Sequence, residues 1–306
     1  MLSPTNDALS SKYDASNATD ATTAEVMSIV IKENCWKWDT QKGSYFMKYY
    51  EDGFIAQKVK MIHRELENIQ FPYHIPVEEN EEPNILKQRW FDGKSVDYKR
   101  FEHQYFAIYA LQQLHETNEK INWDETGMLS LYRMPEKWMR RFERFIANER
   151  ELRRLLKHNY DDLVKHASYA LNSMAQRTVP SENKTILHGD VVHHNVMLQG
   201  EEVKLIDFDL ASLGEASDEI ILWLHRVMPQ TKYNLQQAMN DHSYLQIVQP
   251  KLHYLNYPNE ILRECLFYLK LSDRQKIACY PFIQSIVYEW LKHKDSLAEQ
   301  IEILQN

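Results

Sequence analysis

The chain has 306 residues, 43% of them hydrophobic, enough to bury a substantial core in one two-lobed domain or two small ones. Its formal net charge of -8 argues against general nucleic-acid binding, and its three scattered cysteines, Cys35, Cys265 and Cys279, form neither a disulfide framework nor a zinc spacing. No apolar run is long enough to span a bilayer and the N-terminus lacks the regions of a signal peptide, so a cytoplasmic protein with no membrane partner is expected.

Residues 1–22 are polar, rich in Ser, Thr, Asn, Asp and Ala, and read as a lead segment. From Glu25 to Tyr50 short β-favouring runs alternate with polar turns. Val26–Ile31, Cys35–Trp38 and Ser44–Tyr50 read as an antiparallel meander, turning at Asn34 and at Gln41–Gly43. Ile55, Val59, Ile62, Leu66 and Ile69 then recur at helical spacing and form one stripe, which Phe71-Pro72 ends. On a wheel of about 100° per residue, Glu65 falls at the border of that stripe and Glu67 points away. Asn84–Phe91 reads as another strand, closed by Asp92-Gly93.

Beyond that glycine the pattern is mostly helical. Phe101, Tyr105, Ile108, Leu111 and Leu114 mark one helix face, followed by a charged helical segment from Glu136 to Lys157 and another helix from Asp161 to Met174. The charged segment carries Arg140, Arg141, Arg144, Arg150, Arg153 and Arg154 among glutamates. Such mixed charge reads first as a solvated face held by side-chain pairs; the alternative is part of a site for an anionic or saccharide-phosphate substrate. Trp123, Tyr132, Trp138 and Trp223 are open to both readings, packing or pocket. Asp218–Met228, Pro258–Lys270 and Asp273–Gln305 complete the helices. The change near residue 92 implies an α+β organisation, with a β-rich lobe at 23–91 and a mainly helical one at 92–306.

Between the helical segments lies Ile186–Asp209, ILHGDVVHHNVMLQGEEVKLIDFD, the most informative stretch of the chain. Val196–Leu198 and Val203–Ile206 read as two short strands joined by a turn at Gly200, a pairing that would bring Asn195 and Asp207 to the same end. Phosphoryl transfer needs a carboxylate to orient the attacking hydroxyl, plus an amide oxygen and a second carboxylate to hold the metal on nucleotide phosphates. Asp190, Asn195 and Asp207 supply these in that order. Hard oxygen donors suit magnesium better than zinc. Asp209 reads equally as a metal contact, a cap or a solvated side chain. His188, His193 and His194 lack the cysteine or HExxH partners of a zinc site.

This segment resembles the catalytic and metal-binding loops of the protein-kinase-like superfamily, in the branch where HGD replaces HRD, that of aminoglycoside and choline phosphotransferases. Its wording, HGDVVHHN followed by IDFD, is most similar to kinase-like proteins associated with the coat of bacterial endospores. The resemblance implies a bilobal kinase-like fold, ATP and Mg2+ as cofactors, and a small-molecule or sugar hydroxyl as phosphate acceptor near Asp190. It also implies coat proteins as partners in the narrower case, with the coat as an alternative location. His188 would be an internal hydrogen-bonding post and Asp218 an anchor for the catalytic loop. Lys48, in YFMKYY, resembles the strand lysine that contacts the nucleotide phosphates, with Glu65 as its helix partner. Gln88, Arg89 and Trp90 would lie in the segment near the adenine.

The sequence departs from the superfamily in one place. Between Thr22 and Met47 the single glycine is Gly43, so no glycine-rich phosphate loop is present. Nor does an Ala-Pro-Glu segment or a long activation loop follow IDFD, which disfavours protein substrates. A kinase-fold scaffold with little turnover is therefore the competing expectation.

Overall fold

A computed structural model of the chain describes residues 27–177 and 183–305. The polar lead at 1–22 and the expected strand start at Val26 lie outside the described residues. The described chain divides into two compact units, one running to Arg64 and including Ile75–Asp92, the other comprising Glu65–His74 and everything from Gly93 onward.

The first unit is built on a four-stranded antiparallel sheet of β1 (Met27–Lys32), β2 (Cys35–Thr40), β3 (Gly43–Tyr49) and β4 (Ile85–Arg89), in that spatial order. The β1–β2 turn is Glu33–Asn34, with Asn34 at φ 61°, a left-handed conformation that asparagine tolerates better than most residues. Alternation sorts the strand residues onto two faces. Tyr45, Met47 and Ile85 cluster on one, while Tyr50 and Leu86 pack on the other against Ala56 and Val59 of helix α1 (Gly53–Asn68).

Local signals set both ends of α1. The Asp52 carboxylate accepts the Phe54 N–H at 2.8 Å and caps its start. At its end Gln70 takes φ 56°, while the Phe71 N–H reaches the Leu66 carbonyl and the Gln70 N–H that of Glu67, each at 2.9 Å. That is a Schellman turn, completed by burial of Leu66 and Phe71, and it ends the helix where the sequence places its stop.

The second unit is mainly helical, with α2 (Phe101–His115), α3 (Met134–Ala147), α4 (Glu149–Leu156) and α5 (Asn159–Gln176) before the central hairpin. After the hairpin come α6 (Ala216–Val227), α7 (Leu235–Asp241), α8 (Asn259–Tyr268) and α9 (Asp273–Gln305). Trp138 stacks on Tyr257 with ring centroids 4.7 Å apart, Phe145 stacks on Tyr160, and Trp123 and Trp223 are buried with them. These tryptophans are core residues. The expected single helix over Glu136–Lys157 is instead two, broken at Asn148. Its side-chain Nδ2 donates to the Arg144 carbonyl at 2.7 Å, competing with the helical ladder. In α4, Arg153 pairs with Glu149 and Asp161, the solvated-face arrangement expected of mixed charge.

Two short strand pairings, both outside the expected hairpin, escaped sequence reading. Here β5 (Lys94–Ser95) joins β7 (Val196–Gln199) and β8 (Glu202–Leu205) in one sheet, while β6 (Lys184–Leu187) pairs with β9 (Ser212–Glu215). Strands of four residues or fewer are too short to show an alternation. No helix among the described residues is long and apolar enough to cross a membrane.

Candidate active site

The site is assembled on the β7–β8 hairpin. Val196 pairs with Leu205 and Gln199 with Glu202, turning at Gly200, whose φ is 62°. At the open end the Ile206 N–H donates to the Asn195 carbonyl at 3.0 Å, so Asn195 and the residue preceding Asp207 are backbone neighbours. The pairing expected from sequence is thus realised. Asp207 itself adopts φ 67° and ψ 61°, a left-handed conformation that costs a non-glycine residue on the order of 1–3 kcal/mol and turns the chain out of the strand. Asp209 follows in a short 3-10 turn and is half-buried.

The loop before the hairpin is held from below. His188 is buried, its Nε2 lies 2.9 Å from the Ile206 carbonyl, and its ring packs on Phe208. With Nε2 donating to that carbonyl, Nδ1 is left as an acceptor for the Asp190 N–H, which lies 3.4 Å away. This is the internal post implied by the resemblance. Gly189 then passes so close to the following turn that a Cβ would sit 2.1 Å from the Leu210 carbonyl oxygen, and its φ of +83° also favours glycine.

The anchor of this loop is not Asp218, as expected, but its neighbour Glu219. Fully buried on α6, Glu219 accepts the Gly189 N–H at 2.6 Å through one carboxylate oxygen. Its other oxygen accepts the His188 N–H at 3.0 Å and lies 2.9 Å from His115 Nε2. Burial works to raise its pKa, but the hydrogen bond and charge of His115, with His188 and the Gly189 amide, together hold it below the ordinary value. Asp218 instead forms a buried ion pair with Lys251, at 2.6 Å. The one-residue difference reflects the helical rotation of about 100° between neighbours, which the sequence pattern does not phase finely enough to choose between two acids.

On this support Asp190 and Asn195 meet. Asn195 is buried, and its Nδ2 lies 3.0 Å from the Asp190 carbonyl and 3.3 Å from Asp190 Oδ2. These bonds fix the amide orientation, leaving Asn195 Oδ1 as its remaining polar atom. Asp190 Oδ1 lies 4.0 Å from Arg226 Nη2, and the Asp190 side chain keeps 31% of its exposure. A half-exposed carboxylate, oriented by an amide and adjoined by a guanidinium, can receive a proton from a bound hydroxyl.

The model of the APH phosphotransferase enzyme family matches residues 33–232, a span that contains the whole hairpin. The chain belongs to the phosphotransferase enzyme family. Solved structures agree in fold. An aminoglycoside phosphotransferase from Alicyclobacillus acidocaldarius is 17% identical, with a TM-score of 0.67 over 99% of this chain and 98% of the other. Spectinomycin phosphotransferase APH(9)-Ia in an AMP-bound complex is 14% identical, with a TM-score of 0.63 over 86% and 92%. Choline kinase LicA from Streptococcus pneumoniae is 13% identical, with a TM-score of 0.53 over 86% and 94%. No curated protein matches the chain in sequence. The α+β fold is that of the aminoglycoside phosphotransferases, and the chain is a phosphotransferase.

In the first unit of this phosphotransferase, Lys48 lies on β3, an interior strand, opposite Leu86 and 4.9 Å from the Tyr50 ring. It is therefore half-buried on the face that packs against α1 and not on the wet face of an edge strand. Glu65, in the second unit, is half-buried on α1 while Glu67 is exposed, as the helical wheel implies. The polar atoms of Gln88 and Arg89 serve their own unit. Gln88 is buried and donates to the Ile75 carbonyl, while Arg89 pairs with Glu78 at 2.8 Å and donates to the Lys42 carbonyl at 2.8 Å. Trp90 is half-buried beneath Lys37, whose ammonium is 5.1 Å from its ring. His193 and His194 are exposed with rings 5.3 Å apart, and among the described residues no group of three or more His, Cys, Asp or Glu is gathered as metal ligands.

The residues that sequence reading missed are Glu219, His115 and Arg226. A glutamate inside the apolar run of α6 was the available signal for the first. The others carry none, since only packing of α2 and α6 brings them to the loop.

Proposed function

We propose that this protein transfers the γ-phosphoryl group of ATP, with Mg2+, to a hydroxyl of a small molecule or sugar. The observation that carries the reading is the double contact of Asn195 with the backbone and carboxylate of Asp190 at the open end of the hairpin, beside the turn into Asp207. Asp190 is the base: it orients the acceptor hydroxyl and takes its proton as oxygen bonds to the γ-phosphorus and the bond to the β–γ bridging oxygen breaks, releasing ADP.

Asn195 and Asp207 fit Mg2+ because they offer a neutral amide oxygen and a carboxylate from one rigid support, hard donors that leave room for phosphate oxygens. When bound, the ion neutralises phosphate charge. Lys48 would contact the phosphates as a positive charge on a strand, with Glu65 as its partner and the backbone of Gln88, Arg89 and Trp90 along the adenine segment. Neighbours solved with AMP, ADP and ATP, and with bound gentamicin and streptomycin, support nucleotide use and a small-molecule acceptor.

A second reading rests on the two-residue, glycine-free β1–β2 turn, which presents few amides to phosphate. It makes the chain a kinase-fold binding protein with little turnover, in spore-coat assembly if the narrower resemblance holds. One set of measurements separates the two. Thermal stabilisation by ATP should require magnesium and be lost in Asp207→Ala under either reading. Hydroxyl-dependent ADP release that disappears in Asp190→Asn supports the enzyme; no ADP above background across sugars, amino alcohols and hydroxy acids supports the binding protein.

A further inference from the structure

Three helices of the second unit bring four cations into one another's field, with Arg226 4.0 Å from Asp190 and sharing Glu260 with Arg263. Lys137 and Arg141 stand one turn apart on α3, Arg226 lies on α6, and Arg263 on α8. Arg226 pairs with Glu260, and Arg263 pairs with Glu260 at 3.1 Å and with Glu264 at 2.5 Å. These two carboxylates are held by those arginines, with Glu260 also within the field of Arg141. Neither Lys137 nor Arg141 has a carboxylate within ion-pair distance among the described residues: Arg141 donates to the Asn259 amide oxygen, and Lys137 lies over the Tyr132 ring at 4.6 Å.

The remaining groups make this an unfinished arrangement. Like charges at i and i+4 on a helix repel, so Lys137 and Arg141 oppose the helix that carries them. Although the Lys137 side chain is accessible along its length, burial around its ammonium, followed by the charge of Arg141, holds its pKa below the ordinary value. Asp190 is also within its field. Beneath Lys137, the Tyr132 hydroxyl is buried with no hydrogen-bond partner among the described residues, in a field shared by Asp218 and Arg141. Lys137 over the Tyr132 ring and Arg141 within the field of its hydroxyl are two cations without an ion-pair partner, beside a buried hydroxyl without a hydrogen-bond partner among the described residues, a combination suited to an oxyanion.

We infer that the phosphate acceptor is a hydroxylated small molecule carrying a phosphate or carboxylate, whose anionic group is held by Lys137, Arg141 and the Tyr132 hydroxyl while its hydroxyl meets Asp190. The inference rests on the phosphotransferase reading of Asp190 for the role of the ligand, but not for its charge. It sets this chain apart from neighbours solved with gentamicin or streptomycin, polycations whose positive charge this cluster would repel.

The test is calorimetric titration of the full chain with inorganic phosphate, and separately with malonate, in magnesium-free buffer of fixed ionic strength. Wild-type protein should bind at least one of them above a chloride control, and the stronger of the two names the anion. Arg141→Met should weaken that binding by about ten-fold or more, and Arg141→Lys, which keeps the charge, by less. Tyr132→Phe should weaken it by several-fold, about what one hydrogen bond contributes. If neither anion binds, or if folded Arg141→Met and Lys137→Met bind as well as wild type, the proposal is overturned. It is equally overturned if kanamycin is phosphorylated in preference to every anionic hydroxyl compound offered. Stabilisation by magnesium ATP reads the other claim: its absence from wild type, with phosphate binding intact, defeats the phosphotransferase reading and leaves the anion site standing.

Discussion

The β7–β8 hairpin with the loop before it and the sheet of the first unit use polar side chains in opposite ways. At the hairpin the groups expected to do chemistry are held by other residues. Glu219 fixes the Gly189 and His188 amides, His188 reaches Ile206, and Asn195 holds Asp190, so the Asp190 carboxylate stays half-exposed. On β4 and just beyond it, the candidate groups are themselves the supports. Gln88 ties its strand to Ile75, and Arg89 ties it to Glu78 and Lys42. A polar residue near a site is a candidate for function only when some other group carries its structural load.

The largest effect expected from this difference is at Asp190. Asp190→Asn should lower phosphoryl transfer by about 10²–10⁴, the usual worth of general-base catalysis, and leave thermal stabilisation by magnesium ATP unchanged. A variant that retained turnover would show that the base lies elsewhere.

Gly189→Ala comes next. It places a methyl against the Leu210 carbonyl at a φ that disfavours side chains, and should destabilise the protein by about 3 kcal/mol in denaturant melts. An unchanged midpoint would mean that the loop is not fixed as tightly as the contrast requires.

Glu219→Gln should cost about 2 kcal/mol, since an amide cannot accept from His115 and both loop amides as a carboxylate does. Its pH dependence has a definite sign. The folded-state pKa lies below the ordinary 4.5, so the contribution is complete above that value and is lost as pH falls through the folded-state pKa. The stability gap between wild type and Glu219→Gln should therefore be widest at neutral pH and close in acid; a gap that widens in acid would contradict it.

Gln88→Leu is the smallest effect. It should lower stability by about 1 kcal/mol through the lost bond to Ile75 and leave ATP binding measured by calorimetry unaltered. Loss of ATP affinity without loss of stability would reverse the assignment of Gln88 as a support and erase the contrast between the two regions.

What could be read in advance follows interaction range. The stripe from Ile55 to Ile69, the stop at Phe71, the turns at Asn34 and Gly200 and the β7–β8 pairing are set by residues within a few positions of each other, and each is found where its local signal lies. The short strands β6 and β9 lie 25 positions apart at the Leu187–Ser212 pair (212 − 187) and the preceding pairs are more distant still. Neither shows a period of its own, so nothing local announces their pairing. The break at Asn148 was also missed, because one side chain competing for a carbonyl leaves no trace in a charge pattern.

The sequence alone determined the chemistry on offer: Asp190, Asn195 and Asp207, in order and at spacings that one hairpin can bring to one end. Backbone pairing brings Asn195 and Asp207 to that end, since strand register fixes which residues share an end. Only the tertiary structure decided what holds and what surrounds that chemistry. Glu219, His115 and Arg226 come from helices distant in the chain, as do Lys137, Arg141 and Arg263. Charge and hydrogen bonding act through space, so residues distant in the chain can be neighbours with no periodicity to reveal them.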